Sequence, residues 1–279
     1  MIYCDAHFHL VQCGRPPVDE QKNEYYSCTC AHCPEEFLEQ EKLIAQYQNK
    51  TDKAKVDSCK SLSPCGISQK DNSINKYKIV SSYGIHPQDP NVEYAPFLEK
   101  LLKEKRISAI GEAGFDLFTE EYKLNKKAQE DTWKIQTELA AEYKVPLVVH
   151  DRKALDEIFG SSIVLSQIPA VVFHSFAFGV KEEDSILNHR INAFFSFGKQ
   201  ILNGNKKSID CVKNLPIEKL LLETDAPYQT LRGEIKTYPD EIKKVYQEAS
   251  RIRQCDLIYL SEKLMDNFSQ VFFLNNDYL

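Results

Sequence analysis

This 279-residue chain contains no apolar run approaching the roughly 20 residues that a helical membrane span needs, so no membrane association is expected. It also lacks an excess of positive charge: 35 Lys and Arg stand against 41 Asp and Glu, a net charge of −6. Proteins that hold duplex nucleic acid over a wide surface are more often cationic. Any anion site here is therefore expected to be local, with bound cations supplying much of the positive charge. No secretion leader is expected either, because Met1-Ile2-Tyr3-Cys4 runs straight into a chemistry-bearing segment and leaves no room for a charged region and an apolar core. A cytoplasmic location is the expectation. The nine cysteines (4, 13, 28, 30, 33, 59, 65, 211 and 255) are odd in number and irregular in spacing, which argues against a disulfide framework. Most are expected to be free thiols. No internal repeat is visible beyond the alternation described next.

What is present is a series of short apolar runs that end in metal-ligating residue types. The first leads into Asp5-Ala6-His7-Phe8-His9-Leu10. Side chains alternate faces along a strand, so Asp5, His7 and His9 are expected on one side. Two imidazoles so spaced can hold one divalent cation; the plain alternative is a pair of ordinary surface histidines. Four further runs end alike: Pro146-Leu147-Val148-Val149 in His150, Ala170-Val171-Val172-Phe173 in His174, Ile107-Ser108-Ala109-Ile110-Gly111 in Glu112, and Leu220-Leu221-Leu222-Glu223-Thr224 in Asp225. Each run is short and rich in β-branched or aliphatic residues, as a strand buried on both faces should be. Between them Ala128, Thr132, Ile135, Leu139 and Tyr143 recur at helical spacing. Candidate strands near 2–5, 25–30, 78–84, 107–111, 147–150, 170–174, 193–197 and 220–224 make eight parallel βα units. The expected fold is an α/β, TIM-like (β/α)8 barrel occupying 1–279 as one domain, a fold whose active sites are built at the C-terminal strand ends.

The region between the first and third strands departs from that plan. Cys28, Cys30 and His32 share a face in an extended chain and can bind a soft metal, but the spacing fits no zinc pattern, and buried cysteines are more often inert core residues. A helix is expected from Pro34 to about Tyr47. Residues 48–76 are rich in Lys, Ser, Asn, Asp and Gln with almost no apolar periodicity. They are read as a polar surface insertion after the second βα unit, on the face opposite the site.

Taken together, DAHFHL at 5–10, GIHP at 84–87, GEAGFD at 111–116, PLVVHDR at 146–152, FHSF at 173–176 and ETDAPY at 223–228 resemble, in order, the TatD-type metal-dependent deoxyribonucleases, a branch of the amidohydrolase-like barrels. Tyr238 to Phe273 resembles the closing helices of that family. The resemblance implies a divalent-metal centre and hydrolysis of DNA phosphodiesters, often from a 3′ end. It favours magnesium or manganese for activity, with zinc a possible occupant. The DNA is expected to be short, single-stranded or end-bound, and no obligate protein partner is implied. The segment from His174 to Gly179 is one residue longer than the usual H-x-F-x-G, which bears on substrate preference more than on metal binding.

Phosphodiester hydrolysis needs an activated water, neutralised phosphate charge and help for the leaving alkoxide, and two cations about 3.5–4 Å apart can supply all three. The expected arrangement puts His7, His9, Glu112 and Asp225 around one ion, and Glu112, His150 and His174 around the other. Glu112 bridges them because a carboxylate has two oxygens. Glu112 and Asp225 are the expected catalytic residues, with Asp225 accepting the proton of the attacking water. Arg152 offers a guanidinium fork for phosphate, against the alternative of an ordinary helix-start ion pair. His86 resembles a substrate-facing histidine of the family rather than a ligand. Asp116 and Tyr228 are expected to orient ligands; His32 and His189 are left without a role. The competing readings are a small-molecule amidohydrolase or phosphoesterase on the same barrel, and a non-catalytic metal-binding barrel. A glutamate, not a lysine, after the fourth strand favours the nuclease-like branch.

Overall fold

Parallel pairing of each apolar run with the next builds an eight-stranded sheet in the order β1 to β8. The strands are β1 Ile2–Phe8, β2 Glu24–Ala31, β3 Lys76–Tyr83, β4 Ala109–Asp116, β5 Leu147–Arg152, β6 Val171–Phe173, β7 Ala193–Phe197 and β8 Leu220–Leu222. The computed structural model describes residues 1–18, 23–60 and 76–273, without the side chains of 48–60 and Lys76. Helices separate the strands, as a parallel sheet requires, and the result is the expected TIM-like (β/α)8 barrel. No helix among the described residues is long and apolar enough to cross a membrane.

Two apolar clusters follow from the alternation of side chains. Cys4, Cys28, Val80, Ala109, Val148, Val172, Phe194 and Leu221, one from each strand, pack together with Phe268, Val271 and Phe272 of the last helix, Leu257–Phe272. A separate, larger cluster holds the opposite strand faces, with Tyr25, Tyr83, Ile110, Leu147 and Phe195, against the surrounding helices.

The seam between β8 and β1 is closed largely by side chains. Near the site, the Asp225 N–H donates to His7 O at 2.9 Å and the His9 N–H to Ala226 O at 2.8 Å. Below them Asp5 accepts from the Thr224 N–H at 2.9 Å and its hydroxyl at 2.6 Å. Further down, the Cys4 N–H donates to the Tyr246 hydroxyl at 2.8 Å, the Ser261 hydroxyl donates to Ile2 O, and Asn267 Nδ2 donates to Leu220 O at 2.8 Å. Strand-edge groups left without partners would be costly, and the two C-terminal helices supply them. Asp5 is thereby committed to the seam, not to the cluster that His7 and His9 enter.

Three expectations change. β4 runs on through GEAGFD, so Glu112 lies inside the strand, at a register shift between Ile110 and Ala113; such bulges re-aim side chains. A Cβ on Gly114, whose φ is +144°, would sit 2.1 Å from His150 O, so only glycine lets β4 and β5 approach here. The helix Lys126–Tyr143 buries a more polar face than the expected periodicity: Gln129, Thr132, Trp133, Gln136, Thr137 and Ala140 are buried, while Leu139 and Tyr143 pack only half-buried against the core. Finally, the helix starting at Pro34 continues to Lys60 instead of ending near Tyr47. Phe37, Leu43 and Ile44 anchor its first half against the core, and the Lys and Ala residues that follow have high helix propensity. The rest of the 48–76 insertion, at 61–75, lies outside the described residues, as do the side chains of 48–60.

Candidate metal centre

The strand ends deliver seven charged or imidazole side chains to one point, and Glu112 stands at its middle. The two oxygens of its buried carboxylate divide the histidines between them. Oε1 lies 3.2 Å from His7 Nε2, 3.6 Å from His9 Nε2 and 2.9 Å from His32 Nε2. Oε2 lies 2.7 Å from His174 Nε2, 3.1 Å from His150 Nδ1 and 3.5 Å from His86 Nε2. Asp225 Oδ1 completes the first group, 3.7 Å from His7 Nε2 and 3.4 Å from His9 Nε2. All six residues expected to ligate metal are therefore brought together around Glu112, but with His32 and His86 among them, and the groupings cut across the two sets read from the sequence: His7 meets His174 as well as His9 and Asp225, and His150 groups with His86.

The arrangement fits cations. His7 and His9 turn their Nε2 atoms to within 3.3 Å of each other and towards the Glu112 and Asp225 carboxylates, so that two imidazole nitrogens and two carboxylate oxygens converge where a cation can be held. Their buried Nδ1 atoms have no protein partner. The sets His7–His9–Asp225 and His7–Glu112–His174 each place one donor atom from every residue within 4.8 Å of the others. Mixed imidazole and carboxylate donors accept zinc, manganese or magnesium.

Electrostatics follow from burial and from Glu112. Burial pushes the His7 imidazole down to about 4, against the pull of Glu112, so the ring is neutral, as a ligand must be. For Glu112, burial alone would raise the carboxyl, but His174, His7, His86 and His150 outweigh it and hold it well below the usual range. The same contest leaves Asp225 ionised: burial raises it, while a hydrogen bond from His9 and the nearby His7 and His174 lower it further. His174, against its own burial, is carried up to about 9 by Glu112, so without a cation this ring is protonated and ion-paired to Glu112, and a metal ion binding here must displace that proton.

The outer partners are rigidly placed. The Gln88 N–H donates to His86 Nδ1 at 3.1 Å. Burial brings this ring down to about 3, so it is neutral and carries its proton on Nε2, facing the site. That makes His86 a donor directed at the Glu112 carboxylate. Asp116 accepts from Gln88 Nε2 at 2.8 Å and lies 3.4 Å from His150 Nε2, orienting that ring. Arg152 Nη1 is 3.6 Å from Asp116 Oδ2, with 44 % of its side chain exposed, so it remains open to an anion. Tyr228 stands edge-on to His9, ring centroids 4.9 Å apart. His189 caps the helix Val180–Asn188 and stacks on Phe159, away from the cluster.

Sequence reasoning left His32 without a role, yet it makes one of the shortest contacts to Glu112. The available signal was its place directly after β2, as His9 directly follows β1. A second group also went unseen. Gln229 Nε2 reaches Asp225 Oδ2 at 3.2 Å, Glu223 Oε1 at 3.2 Å and Ser175 Oγ at 2.5 Å, and the Ser175 N–H donates to Glu223 Oε1 at 2.8 Å. Glu223, pushed up to about 8 by burial, ties the longer His174–Gly179 loop to the end of β8.

Comparison with known proteins supplies the family. The TatD related DNase family matches residues 4–273. A metal-dependent hydrolase of Bacillus subtilis, YabD, is 26 % identical over 208 residues, 71 % of this chain and 78 % of its own. A protein of Edwardsiella piscicida named 3′-5′ ssDNA/RNA exonuclease TatD is 29 % identical over 207 residues, 68 % of this chain and 76 % of its own. In fold, the crystal structure of the Escherichia coli TatD homologue YjjV superposes with a TM-score of 0.70 at 19 % identity, covering 98 % of both chains. With its family profile matched almost end to end and its strand-end carboxylates and imidazoles gathered on Glu112, this chain belongs to the TatD related DNase family of metal-dependent hydrolases.

Proposed function

We propose that the protein hydrolyses phosphodiester bonds of DNA, working from a 3′ end on short or single-stranded substrate, with two divalent cations shared by Glu112. The observation that carries the reading is the division of the Glu112 oxygens between two imidazole sets. His7, His9, Glu112 and Asp225 would hold one ion and Glu112, His150 and His174 the other, magnesium or manganese in the working enzyme. Such ions neutralise phosphate charge and acidify water.

The chain's own side chains do the rest. Asp225 Oδ2 accepts a hydrogen bond from Gln229 and keeps a second lone pair, which takes the proton of the attacking water. His86 Nε2–H and the Arg152 guanidinium donate to non-bridging phosphate oxygens; Arg is suited to this by its planar fork. Asp116 and Gln88 keep His150 and His86 in place, so little reorganisation is needed as charge develops. The seven described cysteines are free, which suits a reducing cytoplasm.

The test is a product ladder. Metal-reconstituted protein is incubated with 5′-labelled single-stranded and duplex DNA, and a ladder shortening stepwise from the 3′ end is expected on the single strand. Turnover of small phosphate esters or amides with every oligonucleotide left intact would overturn the reading.

A further inference from the structure

Two half-exposed aromatic rings flank the cluster and take no part in the chemistry above. Phe118, two residues past the end of β4, is 50 % exposed, and Tyr228, three past Asp225, is 51 % exposed. In a barrel ordered β1 to β8, β4 and β8 lie four apart, so the segments that carry the rings leave the sheet on opposite sides of the mouth, Tyr228 packing on His9 at the β8–β1 seam. Each is fixed by its backbone. The Phe118 N–H donates to Asp116 Oδ1 at 3.0 Å and the Leu117 N–H to Arg152 O at 2.9 Å, while the Tyr228 N–H donates to Asp225 O at 2.7 Å.

Cations gather at the first ring. The Arg152 guanidinium carbon lies over the Phe118 ring, 4.3 Å from its centroid, and the Lys153 ammonium lies over it at 4.6 Å, so a base that stacks there takes their place as they turn to its phosphate. Two cations at one exposed ring form a local anion-attracting patch on a chain whose net charge is −6. A ring beside fixed positive charge matches a nucleotide, in which a flat base and an anion are one unit apart.

We propose that Phe118 and Tyr228 are nucleobase platforms. Two unpaired bases of a single strand stack on them, on either side of the scissile phosphate, and Arg152 with Lys153 takes the phosphate next to the Phe118 base. The assignment rests on the phosphodiesterase reading and deepens it. It accounts for the single-strand substrate proposed above, because paired bases have their faces occupied by their neighbours and cannot splay onto two separate rings.

The test is a double-mutant cycle between ring and base. Single strands carrying one abasic residue at successive positions are compared with the intact strand. The readouts are kcat/KM with Mn²⁺ and the equilibrium anisotropy of a labelled, phosphorothioate-linked strand. In the unaltered protein one abasic position should cost about tenfold, the usual scale of a base–aromatic stack. In Phe118→Ala that cost should vanish. Phe118→Leu, which keeps bulk without a π face, should behave like alanine, and Phe118→Trp should retain the cost. Tyr228→Leu should abolish the cost at a different position. Abasic penalties equal in the unaltered protein and Phe118→Ala overturn the proposal. Strand binding through Phe118 without any cleavage supports the platforms and overturns the hydrolytic reading alone, whereas cleavage with no abasic penalty at any position does the reverse.

Discussion

Gln136 grips the peptide groups of Ile85 with both ends of its amide: its Oε1 accepts from the Ile85 N–H at 2.7 Å and its Nε2 donates to Ile85 O at 3.1 Å. Two turns earlier on the same helix, Gln129 does the same for Asp116, accepting from its N–H at 2.9 Å and donating to its carbonyl at 3.2 Å. One helix thus fixes the main chain on the N-terminal side of His86 and at Asp116 itself.

Replacing Gln136 by leucine strands a buried N–H and C=O at Ile85. Unsatisfied buried groups are costly, so the variant should lose about 2–3 kcal/mol of stability. Urea unfolding checks this, with a lower midpoint at unchanged slope expected. An unaltered midpoint would mean that the amide contributes nothing.

The same two glutamines show where sequence reading stops. A hydrophobic stripe reveals what a helix buries against apolar neighbours, but Gln129 and Gln136 face inward to meet main-chain groups, and no apolar periodicity marks that. The strand-end residues were legible for the opposite reason: an imidazole or carboxylate closing an apolar run stands out. His32 was missed because it follows Cys28-Thr29-Cys30-Ala31, where the thiols drew attention from the position. Glu112 was read as following its strand because glycines on both sides hide the continuation of β4. In the structure those glycines are what allow the close approach to β5.

Glu183 gives a prediction about pH. It is buried on the helix Val180–Asn188, with one carboxylate oxygen unpartnered, and burial pushes it up to about 7 from an ordinary 4.5. The folded chain therefore keeps a proton that the unfolded chain releases between those values. Its favourable contribution is complete below 4.5 and lost as pH rises through 7. Glu183→Gln should raise Tm above pH 7, with the gain closing below pH 4.5. Thermal melts at pH 4 and pH 8 decide; a gain independent of pH contradicts the assignment.

Asp225 and Arg152 are expected to separate in kinetics. Asp225→Asn keeps the shape but cannot take the proton, and general-base assistance is typically worth about 10²–10⁴-fold in kcat. Arg152→Ala should mainly raise KM, because it removes binding common to ground and transition states. Steady-state rates on a short oligonucleotide at excess Mn²⁺ measure both. Near-normal kcat in Asp225→Asn would remove that residue from the proton transfer.

The central claim is that hydrolysis depends on cations held in common by Glu112, and one titration addresses it. Protein stripped with EDTA until elemental analysis finds no metal is assayed on end-labelled single-stranded DNA while Mn²⁺ is added back, for the unaltered chain and for Glu112→Gln. The account predicts no cleavage in the stripped protein, recovery with added Mn²⁺ in the unaltered chain, and none in Glu112→Gln at any concentration. Full cleavage by the metal-free protein, or full recovery in Glu112→Gln, would contradict it.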